Sequence, residues 1–319
     1  MEFVLPTFEI WQQGNTLADI WKHIARCTRV CYQSEKKDNN ETEEEFVKRV
    51  ILRNEPWNSD ANHLAMLEHG TIYLMAIDWD RNPLKHYWTN KYSKVKEVHL
   101  KTEYCQSDTS YKYAYYVTTN LRVIYENNWL DDLKYICVPT EHHAKRITVS
   151  FTTNIGVTRE FNRHRVNSIA EESTRYCNYH LDKFKNSITF ALPSWIDINE
   201  TEIQACRTAE VESDMYADMR INMELSDNWN TIDWYLYALS TSALAYKKLI
   251  QLGLKPQQAR EVLPLATKSQ LIHTAFIDDW KHFFKLRADG VSGPPHPNAK
   301  LLAKPLKNKF IELGYINNN

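Results

Sequence analysis

Apolar positions recur at helical spacing over residues 15–32, and the first helix is expected to end at Cys31-Tyr32. Thr42-Glu43-Glu44-Glu45 then reads as a capping box, with Thr42 as N-cap and Glu45 three residues on. The helix it opens carries Phe46, Val47, Val50 and Ile51 on one face and should stop near Pro56. Three short apolar runs predict strands: Thr71–Ile77, Ile147–Phe151 and Ile188–Leu192. Between the first two of these, residues 79–144 are polar and Tyr-rich without a clean period. We read that segment as an insertion with some helix near Asn120–Asn128.

The C-terminal half is more helical. Trp234–Leu252 is apolar at helical spacing and meets Gly253, a natural residue just past a helix end. Pro256 suits a first helical turn, and Pro264 closes that helix soon after Arg260. Leu271–Leu286 reads as one amphipathic helix with Trp280, Phe283 and Phe284 on its apolar side. After Gly290, the run GPPHP predicts a loop into a last short helix. The whole is an α+β pattern without internal repeats.

With 319 residues, 43% of them hydrophobic, the chain can bury a substantial core. A formal net charge of −1 argues against nucleic acid bound along the whole surface, yet it allows a local basic pocket. Neither GxGxxG nor GxxxxGK[ST] occurs, so a nucleotide would be held by side chains and helix ends. Cys27, Cys31, Cys105, Cys137, Cys177 and Cys206 form no CxxC pair, so no metal is expected. His142-His143, and Cys177 with His180, read as packing or surface residues. The first residues lack the pattern of a signal peptide, and no apolar run of about 18 residues is present to span a membrane. A reduced, cytoplasmic protein is the expectation.

Chemistry concentrates in RHRVNSIAEESTRY. Arg163-His164-Arg165 is followed, after seven residues, by Ser173 and then Arg175. Arginine offers a planar fork of donors that suits phosphate oxygens. Read as a helix, this stretch places Glu171 and Arg175 on one face, and alone they would make a solvated pair worth about 0.3 kcal/mol. Beside three further basic side chains the reading changes, because crowded cations repel unless an anion sits among them. Ser173 reads as a phosphate-binding hydroxyl and Cys177 as a structural thiol.

The same residues carry a family resemblance. RHR-x7-S continued as STRYCNY resembles the signature of the flavin-dependent thymidylate synthases, the ThyX family. Further segments follow in the family's order: Arg29–Ser34, His63 with Leu67-Glu68-His69, Arg159-Glu160, Ala259–Pro264 and Trp280–Arg287. The resemblance covers about half the chain and leaves residues 79–144 and 198–230 unexplained. It implies a single domain over 1–319 with an insertion at about 79–144. It further implies an α+β fold of the ThyX type, with a central antiparallel sheet flanked by helices, assembled as a homotetramer with shared active sites.

The implied reaction is reductive methylation of dUMP to dTMP. The carbon would come from 5,10-methylenetetrahydrofolate, and the hydride from FAD reduced by NADPH. By resemblance, His63, Arg163, His164, Arg165, Glu171 and His282 would hold FAD, with Phe276 to Asp278 beside them. Glu160, Arg163, Glu171, Ser173, Arg175, Arg260 and Arg287 would surround dUMP, with Arg260 given by a neighbouring subunit. Arg287 would be the catalytic group, favouring ionisation of the uracil ring. Three positions depart from the pattern: Ala65 stands where many members have Ser or Thr, and Phe276 and Asp278 where some have Asn and Arg. Two other readings remain open, a flavoprotein acting on another pyrimidine nucleotide and an RNA-binding module.

Overall fold

A computed structural model describes residues 1–34, 40–52, 63–78, 82–100, 112–179, 181, 184, 186–196 and 229–317. Along the chain lie β1 (Glu2–Val4), β2 (Thr7–Trp11), α1 (Leu17–Tyr32), α2 (Glu43–Val50), β3 (Thr71–Asp78), β4 (Lys94–Leu100), β5 (Lys112–Asn120) and α3 (Leu121–Glu126). They are followed by β6 (Arg146–Asn154), α4 (Ile155–Phe161), β7 (Ser168–Glu171), β8 (Thr189–Ala191), α5 (Thr231–Gln251) and α6 (Pro256–Ala259). The last are β9 (Lys268–Phe276), α7 (Ile277–Phe284) and α8 (Pro297–Glu312), with a π-helical turn over Lys285–Asp289 between the two helices.

The chain is mixed α and β, and its two larger sheets are antiparallel. The central sheet has the order β2-β6-β9-β7, and a second has the order β3-β5-β4. β1 and β8 form a small parallel pair. Side chains alternate across the central strands. Ile147, Val149 and Phe151 of β6 face the helices α4, α7 and α8, in a core with Phe161, Trp280, Phe283, Phe284 and Phe310. On the opposite face, Ala170 and Ile272 meet Cys27 and Val30 of α1.

The helix starts follow the sequence closely. Thr16 with Asp19, Thr42 with Glu45, and Asn230 with Asp233 all form capping boxes. Gly253 takes φ +95° one residue beyond the cap of α5, a conformation that suits glycine. Pro256 occupies the first turn of α6.

Three expectations need correction. Leu271–Leu286 is not one helix: Leu271–Phe276 belongs to β9, and the helix starts only at Ile277 and passes into the π-helical turn at Lys285. β9 is covered on both faces, so its apolar run has no polar alternation and merges by pattern with the helix that follows. The segment 79–144 is richer in strand than expected, since β4 and β5 pair with β3 into one sheet. Its helix, α3, does lie near Asn120–Asn128. The last helix is 16 residues long, not short. Pro56, His180, Cys105, Cys206 and residues 198–228 lie outside the described residues.

Candidate active site

The turn that follows α4 carries the basic run. Asn154 caps α4 by accepting from Val157 N at 2.9 Å, and the chain leaves the helix through Asn162 into the turn at residues 163–167. His164 points inward and packs on Phe283, with ring centroids 4.9 Å apart. His282 lies 5.8 Å from it, edge on. Arg163 and Arg165 remain exposed.

Arg287 reaches this turn from the π-helical segment. Its Nε donates to His164 Nε2 at 3.2 Å, its Nη1 to Glu160 Oε2, and its Nη2 to the Glu160 carbonyl at 2.8 Å. His164 therefore accepts through Nε2, which requires a neutral ring protonated at Nδ1. Burial first, then Arg287 and His282, push the His164 pKa down to about 4, in agreement with that neutral form. A π turn is a common device for re-aiming a side chain at a functional site. It closes at Gly290, where φ is +73° and an added Cβ would come within 2.7 Å of Pro295. Glu160 and Arg287 line a cavity of about 300 Å³ together with Gly293, Pro294 and His296.

The signature beyond this turn is not a helix. Ser168–Glu171 is strand β7, paired with Leu271–Thr274 of β9. Its residues favour helix locally, but the ladder to a buried strand outweighs that small preference. Glu171 and Arg175 therefore do not share a helix face. Glu171 accepts from Asn162 Nδ2 at 2.8 Å and from Ser269 Oγ at 3.0 Å. Arg175 is exposed, and its Nε donates to Gln257 Oε1 at 3.3 Å.

After β7 the chain makes a turn held by the Ser173 carbonyl, which accepts from Tyr176 N and Cys177 N at 3.1 and 3.0 Å. Arg260 Nη1 donates to Thr174 Oγ1 of the same chain at 3.2 Å. Ser173, Arg175 and Arg260 thus gather where α6 meets this turn. The structure brings the candidates into two groups: Glu160, His164, His282 and Arg287 form one, and Ser173, Arg175 and Arg260 the other. Glu171 is tied through Asn162 to the turn after α4 and lies just before Ser173 in the chain. His63 is exposed at the start of the 3₁₀ turn Leu64–His69.

Several polar groups were missed in the sequence. Arg146 opens β6 and is buried against Glu68, Thr71 and Ser168. A basic residue at the head of a strand whose Ile147, Val149 and Phe151 alternate with Thr and Ser was the available signal. A buried chain also crosses the sheet: His23 Nε2 to Thr148 Oγ1 at 3.1 Å, Thr148 to Thr274 at 2.7 Å, and Thr274 to His69 Nδ1 at 2.8 Å. His273 is buried nearby and meets Asn167 at 3.2 Å. His142 and His143 pack on Tyr116, and Cys177 is fully buried. Among the described residues no group of three or more His, Cys, Asp or Glu is placed to hold a metal ion.

These histidines make the fold sensitive to acid. Burial holds His23 at a pKa of about 4, His273 at about 3 and His69 well below its ordinary value. Arg26 and Arg146 add to the effect on His23, and His23, Arg146 and His273 to that on His69; His164 does so on His273. Above the unfolded pKa near 6.5 neither state is protonated, so stability is complete. As the pH falls below that value only the unfolded chain takes up protons, and stability is lost down to the folded pKa values. The expected loss is about 1 kcal/mol per buried histidine over the first pH unit below 6.5. Urea midpoints measured from pH 7.5 to 5 should fall accordingly, and a flat profile would refute the account.

The family model described as Thy1, thymidylate synthase complementing protein, matches residues 137–310. A flavin-dependent thymidylate synthase from Thermosipho melanesiensis is 30% identical over 153 residues, 47% of this chain and 57% of that protein. One from Pyrococcus furiosus is 27% identical over 130 residues, 41% of each chain. The aligned part thus spans 57% and 41% of those relatives' lengths. A solved UMP/dUMP methylase, PolB from Streptomyces cacaoi with 5-Br UMP, is 14% identical over 98% of this chain and 92% of its own. Its TM-score of 0.41 is too low to carry an argument. Among the described residues no helix is long and apolar enough to cross a membrane.

Proposed function

Because the chain belongs to the thymidylate synthase complementing protein family, we propose that it is a flavin-dependent thymidylate synthase, converting dUMP to dTMP. It would use 5,10-methylenetetrahydrofolate as carbon donor and NADPH as reductant. The observation that carries this reading is the clamp of Arg287 on Glu160 and His164 beside a cavity. The clamp holds the guanidinium in one orientation and leaves further N–H donors on the same fork. A fixed cation of this kind stabilises negative charge developing on a uracil ring.

The other residues take roles by position. Arg175 and Arg260, with the turn at Ser173, would bind the dUMP phosphate and so orient the ring. Glu160 and Glu171 would border the nucleotide, each already fixed by hydrogen bonds. The residues fit a flavin: exposed Arg163 and Arg165 offer charge for its phosphates, and His164, His282 and His63 offer ring faces and N–H groups. Glu171 would lie at the boundary of the two ligands. Bound FAD would supply the hydride chemistry. We further propose a single ThyX-type domain over 1–319, with the sheet of β4 and β5 as its insertion. A homotetramer with shared sites and a cytoplasmic location complete the proposal.

This reading needs no enzyme nucleophile. Cys177 is 0% exposed and packs with Phe190, Leu239 and Tyr246. Cys177→Ala should therefore retain most of the activity. The test of function is dTMP formation from dUMP, methylenetetrahydrofolate and NADPH, with FAD added and oxygen excluded. Folded, FAD-bound protein that forms no dTMP would overturn the reading and point to another pyrimidine nucleotide. Loss of activity in folded, FAD-bound Cys177→Ala would overturn the assignment of that thiol.

A further inference from the structure

The turn that starts at Ser173 is held from the protein side one residue at a time. Glu171, just before it, is fixed by Asn162 and Ser269. The Cys31 thiol, at the end of α1, donates to the Glu171 carbonyl at 3.1 Å, and Ser173 N donates to the Cys31 carbonyl at 3.0 Å. Burial pushes the Cys31 pKa up to about 11, so the sulfur keeps its proton and remains a donor at neutral pH. The ring of Tyr32, the next residue, lies 5.5 Å from that of Tyr176. One helix end thus braces the chain on both sides of Glu172.

Glu172 is a carboxylate in a buried place. Its side chain is 1% exposed. Its Oε2 accepts from Nζ of Lys268, the first residue of β9, at 2.6 Å. Its Oε1 accepts from the hydroxyl of Tyr179 at 3.3 Å, and Tyr179 belongs to the apolar cluster that holds Cys177 and Tyr246. Its backbone N donates to the Gln270 carbonyl at 2.8 Å. Burying an ion pair costs about as much in desolvation as the attraction returns, and an apolar side chain of that size would fill the space without this cost. The pair supplies direction instead: two hydrogen bonds fix the Glu172 side chain, and with it the backbone, against β9.

Immediately after Glu172 come Ser173, Thr174, whose hydroxyl accepts from Arg260, and Arg175. We propose that Glu172 is a positioning residue for dUMP: through Lys268 and Tyr179, and with Cys31 as a second brace, it sets the spacing of Ser173, Arg175 and Arg260 around the phosphate. It acts through the turn and does not touch the nucleotide. Donors recognise a phosphate only at fixed separations, so a loosened turn forfeits the phosphate's share of binding and leaves the contacts to the base intact. The inference rests on the reading of this turn as a phosphate site.

Calorimetry on the full-length, FAD-loaded protein would compare dUMP with deoxyuridine, which lacks the phosphate. Glu172→Gln keeps the shape of the side chain but loses the ion pair. It should bind dUMP about tenfold more weakly, the low end for one charge-assisted hydrogen bond, and deoxyuridine within about twofold of the wild type. In turnover, KM for dUMP should rise by the same factor while kcat stays within about threefold. Cys31→Ala leaves the ion pair in place and should weaken dUMP by about threefold, whereas Cys31→Ser restores a donor and should return the wild-type value. Thermal unfolding first establishes that each variant is folded; where Glu172→Gln is not, the two Cys31 variants decide. Folded variants that keep the wild-type preference for dUMP overturn the inference. So does an equal loss of both ligands, which marks a general loosening of the fold. Wild-type protein that binds dUMP no better than deoxyuridine overturns the phosphate site itself and the inference with it, while dTMP formation tests the activity separately.

Discussion

Arg287→Ala is expected to lower kcat for dTMP formation by about 10²–10³, the scale for removing one preorganised charge donor. The geometry gives the reason. Arg287 makes three hydrogen bonds, to both oxygen types of Glu160 and to His164 Nε2. Alanine removes the cation and also strands the Glu160 carboxylate, which loses its partner. Arg287→Lys keeps the charge but cannot reproduce the fork, so it should fall between the two. FAD uptake should survive in both variants, which separates loss of chemistry from loss of cofactor. A second readout is specific to the clamp. Arg287 is one cause of the low His164 pKa, so Arg287→Ala should raise that pKa, as followed by NMR of the ring. If Arg287→Ala keeps kcat within tenfold of the wild type, another group carries the charge.

Trp280→Ala should destabilise the protein by about 3–5 kcal/mol, the range for deleting a large buried aromatic ring. Trp280 is fully buried and touches rings from four elements. Its centroid lies 5.4 Å from Phe310 of α8, 6.2 Å from His273 of β9, 6.4 Å from Phe151 of β6 and 5.2 Å from Phe283 of α7. Its indole N–H donates to the Ile147 carbonyl at 3.1 Å, so alanine also orphans a buried acceptor. The same helix carries His282 and leads into the Arg287 turn. Urea unfolding of the two proteins measures the cost directly. A loss below about 1 kcal/mol would show that the helix repacks, contrary to the close packing of this core.

The legible parts of the chain were those in which local chemistry decides structure. The capping box at Thr42, the helix stop at Gly253 and the first-turn Pro256 are set by side chains within a few residues of one another. β3 was readable as a compact apolar run, and β6 because Ile147, Val149 and Phe151 alternate with Thr and Ser. β4 and β5 were not, because an outer sheet with many polar and tyrosine residues has no strong period. The helix expected around Glu171–Arg175 failed for a different reason. The segment has good helix formers, but β9 offers it a ladder, and that partner lies about a hundred residues away in the chain.

The sequence by itself determined the helix caps, the principal strands and the basic residue types of the candidate site, because these depend on near neighbours and on side-chain chemistry. Only the tertiary structure decided that Arg287 closes on Glu160 and His164, that Glu171 turns to Asn162 and Ser269, and that Arg146 is buried against Glu68, Thr71 and Ser168. Those contacts span 9 to 127 positions in sequence for the hydrogen bonds named, most of them long. They arise from the order in which strands pair and from helices packed across the sheet, which a local pattern does not encode.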